Sequence, residues 1–241
     1  MNVLVTGGAG IVGQSLVQRL HSLGHRVLVV GRRTGVSVPN ADYKTCDITK
    51  YDQISSVMAG IDGVAHLAAL PSPEIGPADQ IYQINCAGTF NVYQSAAERG
   101  VRRVVSASSI NAVGYFWGTK TFPINYLPLD EKHPQFTTDA YSFSKQSSED
   151  IARYFWRREG ISGAAIRIPW IYEPSDKQID DFRNLIYWAR DILPPLFADS
   201  AGSKRELLNS LNNKIAAFRS HRPWEWPSDG KTVKEHRNEM G

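Results

Sequence analysis

The sequence predicts an α/β fold, a doubly wound parallel sheet, and three observations carry that expectation. Short apolar runs alternate with helix-period segments as far as about residue 172. The runs are apolar at nearly every position, as in strands covered on both faces. The first run passes directly into a glycine-rich turn that opens a helix. A chain of 241 residues, 42% hydrophobic, suffices for one large domain, or one domain with a small appendage.

Residues 2–7, NVLVTG, form the first strand and run into glycine. Over 11–23, helical spacing groups Ile11, Ser15, Leu16, Leu20 and Leu23, and Gly24 closes the helix. RVLVVG (26–31) is a second buried strand, and a short strand precedes CDIT (46–49). Helical YDQISSVMAG (51–60) leads into the strand GVAHLAA (63–69). A long helix spans 77–99, and RRVVSASS (102–109) is the next strand. A helix over 139–159 is followed by the strand SGAAIRI (162–168). Helices are also expected over 176–192, ended by Pro194-Pro195, and over 204–219. The stretch 220–241 has no apolar period and is expected to be a loosely packed, partly disordered tail.

A net charge of +3 gives no electrostatic argument for nucleic acid. No apolar run approaches the ~18 residues of a membrane helix. The start, MNVLVTGG, has no basic segment, so no signal peptide is expected. Cys46 and Cys86 form no CxxC motif, which fits a reducing, cytoplasmic setting. His21 and His25 straddle Gly24 at a helix end, and no metal site is expected.

Gly8, Gly10 and Gly13 spell GxGxxG after a strand and at the opening of a helix. Early glycines let backbone N–H groups approach a pyrophosphate, and the helix N-terminus faces that anion. A dinucleotide site therefore takes in Gly7, Gly8, Gly10, Ile11, Val12 and Gly13. An acid at the end of the second strand would bind a ribose hydroxyl, but that place reads GRR, Gly31-Arg32-Arg33. Two guanidiniums suit a 2′-phosphate, so NADP is favoured over NAD. Asp47, beside Ile48 in CDIT, could meet the adenine amino group.

In DAYSFSK, Tyr141 and Lys145 stand at i and i+4 on one helix face. A phenol titrates at ~10, and a nearby cation lowers that value toward useful proton exchange. SASSINAVG (106–114) ends a strand and offers a hydroxyl to position a substrate oxygen.

These pieces resemble the extended short-chain dehydrogenase/reductases, the NAD-dependent epimerase/dehydratase group with a Rossmann-type fold. TGGAGIVG, CDIT, HLAA (66–69), INCAGTFNV (84–92), SASSINAVG, YSFSK and IRIPWIY (166–172) occur in the family's order. The resemblance implies Tyr141 as general acid/base, Lys145 as its ribose-binding partner and Ser109 as the substrate-orienting hydroxyl. It implies that Asn85 stabilises the site. It also implies that Leu67, Ala68, Ala69, Ser108 and Pro169 line the cofactor. SSINAVGYF looks like the uronate dehydrogenase branch. The family's pattern fades after residue 172: Glu173 replaces a usual glycine, and YWARDI (187–192) echoes a family segment only faintly. Residues 1–172 are thus expected to bind NAD(P) and carry catalysis, and 173–241 to form a short, reduced C-terminal helical segment.

The expected function is hydride transfer to or from a small or sugar-like carbonyl or alcohol. The alternatives are a nucleotide-sugar epimerase or dehydratase, and a non-catalytic NAD(P)-binding protein. The partner is a small molecule, with a homodimer left open. Trp117, in a loop at a strand end, is a substrate-contact candidate, whereas Trp156 and Trp188 are read as packing residues. His66 is expected near the cofactor, and Cys86 as a small buried residue.

Overall fold

β1 (Asn2–Thr6) lies at the centre of a six-stranded sheet in this computed structural model, paired on one side with β2 (Arg26–Gly31) and on the other with β4 (Gly63–His66). The structure describes residues 1–169 except 116, 119, 121 and 123, together with 171 and 201–220. β3 (Asp42–Thr45), β5 (Arg103–Ser109) and β6 (Ser162–Ile168) complete the order β3-β2-β1-β4-β5-β6, and every pairing is parallel. The chain first builds outward from β1 through β2 to β3. It then restarts beyond β1 with β4. The crevice between the ends of β1 and β4 is therefore the topological switch point, where sheets of this kind bind ligands.

Two cores sit on the two faces. Val3, Val5, Val27 and Val29 meet Val17 of α1 (Ile11–Ser22) on one face. On the other, Leu4, Val30, Val64 and Val104 pack with residues of three helices: α2 (Tyr51–Val57), α4 (Gly88–Glu98) and α5 (Ala140–Glu159). Phe155 of α5 is fully buried there and stacks on Tyr93 of α4. α1 covers only part of its face. Farther along the same face Val105 and Ile166 are 39% and 53% exposed.

The helical stripe of α1 differs from the expected one. Gly13 and Val17 are buried with Leu16 and Leu20 half-buried, whereas Ile11, Ser15 and Leu23 are exposed. Trp156 is also exposed, and its neighbour Phe155 fills the core position expected of it. Strand β4 stops at His66, short of residue 69: Leu67 N still donates to Thr6 O at 3.1 Å, but β1 ends at Thr6 and Ala68 N turns to the Thr6 hydroxyl. The long helix is continuous but not uniform: α3 (Ala78–Tyr82) passes through a π-turn (Gln83–Ala87) into α4. α6 (Ala201–Ser220) is the last helix among the described residues, and its Asn212 accepts from the N–H of Ile124 at 3.0 Å. The helix expected over 176–192, the tail 220–241 beyond Ser220, Glu173 and Trp188 lie outside the described residues. Among the described residues no helix is long and apolar enough to cross a membrane.

Candidate active site

The glycine loop follows β1 because each of its glycines meets a different neighbour. Gly7 has φ +71°, and a Cβ there would lie 2.8 Å from Ala68 N. At Gly8 it would press on Val29, and at Gly13 it would lie 2.5 Å from Gly8 Cα. The close approach that Gly13 permits is thus to the loop itself. Gly10 is exposed, and a Cβ there would meet nothing nearer than Gly7 O at 3.4 Å. It begins α1 without a side-chain cap, and no acid stands in the first turn. Exposed Ile11 and half-buried Val12 follow in α1, and the backbone of Leu67 and Ala68 lies against Gly7. Backbone donors at an uncapped helix end beside free space suit a pyrophosphate.

Arg32 and Arg33 are exposed just past β2. A Cβ on Gly31 would lie 3.0 Å from the Tyr43 hydroxyl, which itself donates to Arg33 O at 2.7 Å. Asp47 is half-buried, and its Oδ1 accepts from both the N–H and the hydroxyl of Thr49. The side chain of Ile48 points into the core against Gly88, which leaves only its backbone to face a cofactor.

Three consecutive residues at the end of β5 meet three turns of α5. Lys145 Nζ donates to Ala107 O at 2.8 Å. The Ser108 hydroxyl donates to Glu149 Oε1 at 2.6 Å, which uses its one proton within the protein. Ser109 stands by Tyr141, whose helix start is capped by Asp139 accepting from Ser142 N at 2.8 Å. Burial pushes the Tyr141 phenol above its ordinary value, the Ser109 hydroxyl draws it down, and the Asp139 carboxylate raises it. Burial pushes the Lys145 ammonium down to about 8, and its Nζ lies 5.8 Å from the centre of the Tyr141 ring. Without ligand, burial outweighs the lowering of the phenol expected from the lysine.

Asn85 sits in the π-turn and touches neither Tyr141 nor Lys145 in its described hydrogen bonds. It accepts from Leu70 N at 2.8 Å and donates to Leu70 O and to Ser144 Oγ. It fastens the segment after β4 to α5. Cys86 is buried, and burial pushes its thiol up to about 11. Pro169 is exposed just past β6, and Trp117 is half-buried in the loop between β5 and α5.

Sequence reasoning missed two polar networks. In the first, Thr6 Oγ1 accepts from Leu67 N and Ala68 N, which uses both lone pairs. Its proton therefore goes to His66 Nδ1 at 2.7 Å, and His66 Nε2–H donates to Thr89 Oγ1 at 2.9 Å. Thr89 in turn donates to Asn85 O. Burial, then the Lys145 charge, holds His66 down at about 3. In the second, Glu149 gathers Ser108, Arg167 and Gln135. Polar residues inside apolar strands were the signal available for Thr6 and Ser108. A groove of about 600 Å³ lies beside that second network, between α5 and β6, and Trp156 and Ile166 line it. It holds none of the sequence-predicted site residues. Among the described residues no three metal-ligating side chains gather.

The uronate dehydrogenase of Pseudomonas syringae pv. tomato is 27% identical over 180 residues, 73% of this chain. The chain spans 62% of that protein's length. A solved structure described as a mutated uronate dehydrogenase matches with TM-score 0.61 at 27% identity, over 82% of this chain and 70% of that one. A short-chain dehydrogenase/reductase superfamily protein from Agrobacterium tumefaciens, solved with bound NAD, matches with TM-score 0.60 at 29% identity, over 69% and 48%. The model of the NAD dependent epimerase/dehydratase family matches residues 3–210. With the glycine loop at the switch point and Ser109, Tyr141 and Lys145 at the end of β5, the chain belongs to the NAD dependent epimerase/dehydratase family.

Proposed function

We propose that the chain is an NAD(P)-dependent oxidoreductase acting on a small or sugar-like carbonyl or alcohol, with Tyr141 as its acid/base. The observation that carries this reading is the meeting of Ser109, Tyr141 and Lys145 at the end of β5. The opening at Gly10 and the uncapped start of α1 fit a dinucleotide there. Bound, a nicotinamide cofactor supplies or accepts the hydride. Ser109 orients the substrate oxygen, and Tyr141 gives that oxygen a proton in reduction or takes one in oxidation. Lys145 has one donor on Ala107 O and two left for a ribose. Sugar acids head the substrate list because the matched relative is a uronate dehydrogenase.

NADP is the preferred cofactor in this reading. Arg32 and Arg33 are exposed where a 2′-phosphate would lie, and Tyr43 crowds the side-chain space at Gly31 that an acid would need. Residues 1–172 bind cofactor and carry catalysis, and 173–241 shape the substrate end. A cytoplasmic setting fits two unpaired cysteines.

The reading is tested by turnover in a screen of sugars, uronic acids, lactones and aldehydes, followed by Tyr141→Phe. The variant should lose roughly 10²–10⁴-fold in turnover while NADPH affinity and stability stay near wild type. Full turnover in Tyr141→Phe would leave the pair a buried helix contact.

A further inference from the structure

Glu149 is 5% exposed and stands one turn past Lys145 on α5. Its carboxylate collects partners from three other segments. Ser108 of β5 donates to Oε1 at 2.6 Å, and Arg167 of β6 donates to both oxygens at 2.9 Å. Gln135, in the loop between β5 and α5, donates to Oε2 at 3.1 Å. Arg153, half exposed on the same helix, lies 3.8 Å from Oε2. A bidentate guanidinium and two neutral donors fill the carboxylate's acceptor sites. Each attached segment also carries a site feature. Ser108 precedes Ser109, Arg167 stands two residues before Pro169, and the Gln135 loop holds Trp117.

Ion pairs this buried add little net stability compared with an apolar packing, yet removing one partner is costly. What the arrangement does supply is register. With Ser108 bonded to Glu149, the end of β5 is fixed along α5, and Ser109, the next residue, stands by Tyr141 two turns earlier on the same helix.

We propose that Glu149, braced by Arg167, is a positioning residue that holds the Ser109 hydroxyl against the Tyr141 phenol. The proposal rests on the reading of Ser109 and Tyr141 given above. It makes Glu149 neither a proton donor nor a substrate contact. Arg167 offsets the cost of burying the carboxylate and, with the Ser108 bond, draws its pKa below the ordinary value. The anchor is therefore charged at neutral pH.

The test reads the phenol itself, in the ligand-free chain. Tyrosine labelled at Cζ is followed by NMR through a pH titration, and Tyr141→Phe identifies the resonance. Ser109 draws the phenol pKa down, so loosening the clamp must raise it. Glu149→Gln and Arg167→Met should both shift the Tyr141 titration upward. A simple field effect gives opposite signs: losing the anion would lower the phenol and losing the cation would raise it. Opposite shifts, or no shift in either variant, overturn the proposal. If Glu149→Gln shows no cooperative melt, Ser108→Ala removes a single contact and must give the same upward shift. Failure of the catalytic reading shows separately, as unchanged turnover in Tyr141→Phe.

Discussion

At Gly10 a Cβ would meet no atom of the described residues nearer than 3.4 Å, whereas at Gly13 it would lie 2.5 Å from backbone. The two glycines should therefore fail differently. Gly10→Val should melt close to wild type, since its backbone is extended at φ −83°, ψ 174°, and should lose NADPH binding. Gly13→Val should lose stability itself, visible as a lowered melting temperature before any ligand is added. His66 gives a second prediction. Its folded value of about 3 lies below the ordinary ~6.5, so the unfolded chain takes up a proton that the folded chain refuses. The neutral ring's contribution is whole above pH ~6.5 and is lost as pH falls toward the folded value, at up to about 1.4 kcal/mol per unit. Denaturant midpoints at pH 7 and pH 5 should show this loss, and His66→Asn should flatten it. Tyr141 and Lys145 were legible because four residues of sequence place them on one face. Glu149 has the same spacing from Lys145, yet a glutamate on a helix reads as solvated. Its burial depends on Ser108, Gln135 and Arg167, which arrive from other segments.

The elements were legible where the local signal agreed with the packing. β2 and β6 match their sequence boundaries because apolar runs end at glycine or at the helix that precedes them. β4 was overestimated because its end is set by Thr6, sixty residues away, through a side-chain bond that no periodicity shows. In α1 the expected stripe ran through Ile11, Ser15, Leu16, Leu20 and Leu23, but the face that packs on β1 and β2 is centred on Gly13 and Val17, so Ile11, Ser15 and Leu23 fall outside it. The start of α5 offers a test at this scale. Asp139 caps the turn that carries Tyr141, accepting from Ser142 N. Asp139→Ala should cost about 1 kcal/mol in chemical denaturation. A loss indistinguishable from zero would mean that packing against β5 alone fixes that turn.

Across the whole molecule, the order of elements was legible and the closure of the molecule was not. Strand–helix alternation implied a parallel sheet, and the switch point followed from the glycine loop. Among the described residues Val105 and Ile166 are exposed, on the face that α1 covers only in part, and no apolar run announces this. Cofactor binding acts on the molecule as a unit by mass action. A ligand at 100 times its Kd adds about 2.7 kcal/mol to the folded state. At equal concentration NADPH should raise the melting temperature more than NADH, because Arg32 and Arg33 stand exposed beside the second strand. Equal shifts, or a larger one with NADH, would show that these arginines do not read a phosphate.

The π-turn at Gln83–Ala87 carries one residue more than an α-helical path requires. Its consequence is best seen as a deletion. Removing one residue from that turn would let the helix run straight, and each residue of helix is about 100° of rotation. The segment before the deletion would swing by that angle about the axis relative to α4. Tyr82, now stacked on Phe143, would leave it. Either Asn85 would keep Leu70 and Ser144, or α4 would keep its seat against α5, but not both. The extra residue is what lets one helix satisfy two docking partners whose spacing is not a whole number of turns.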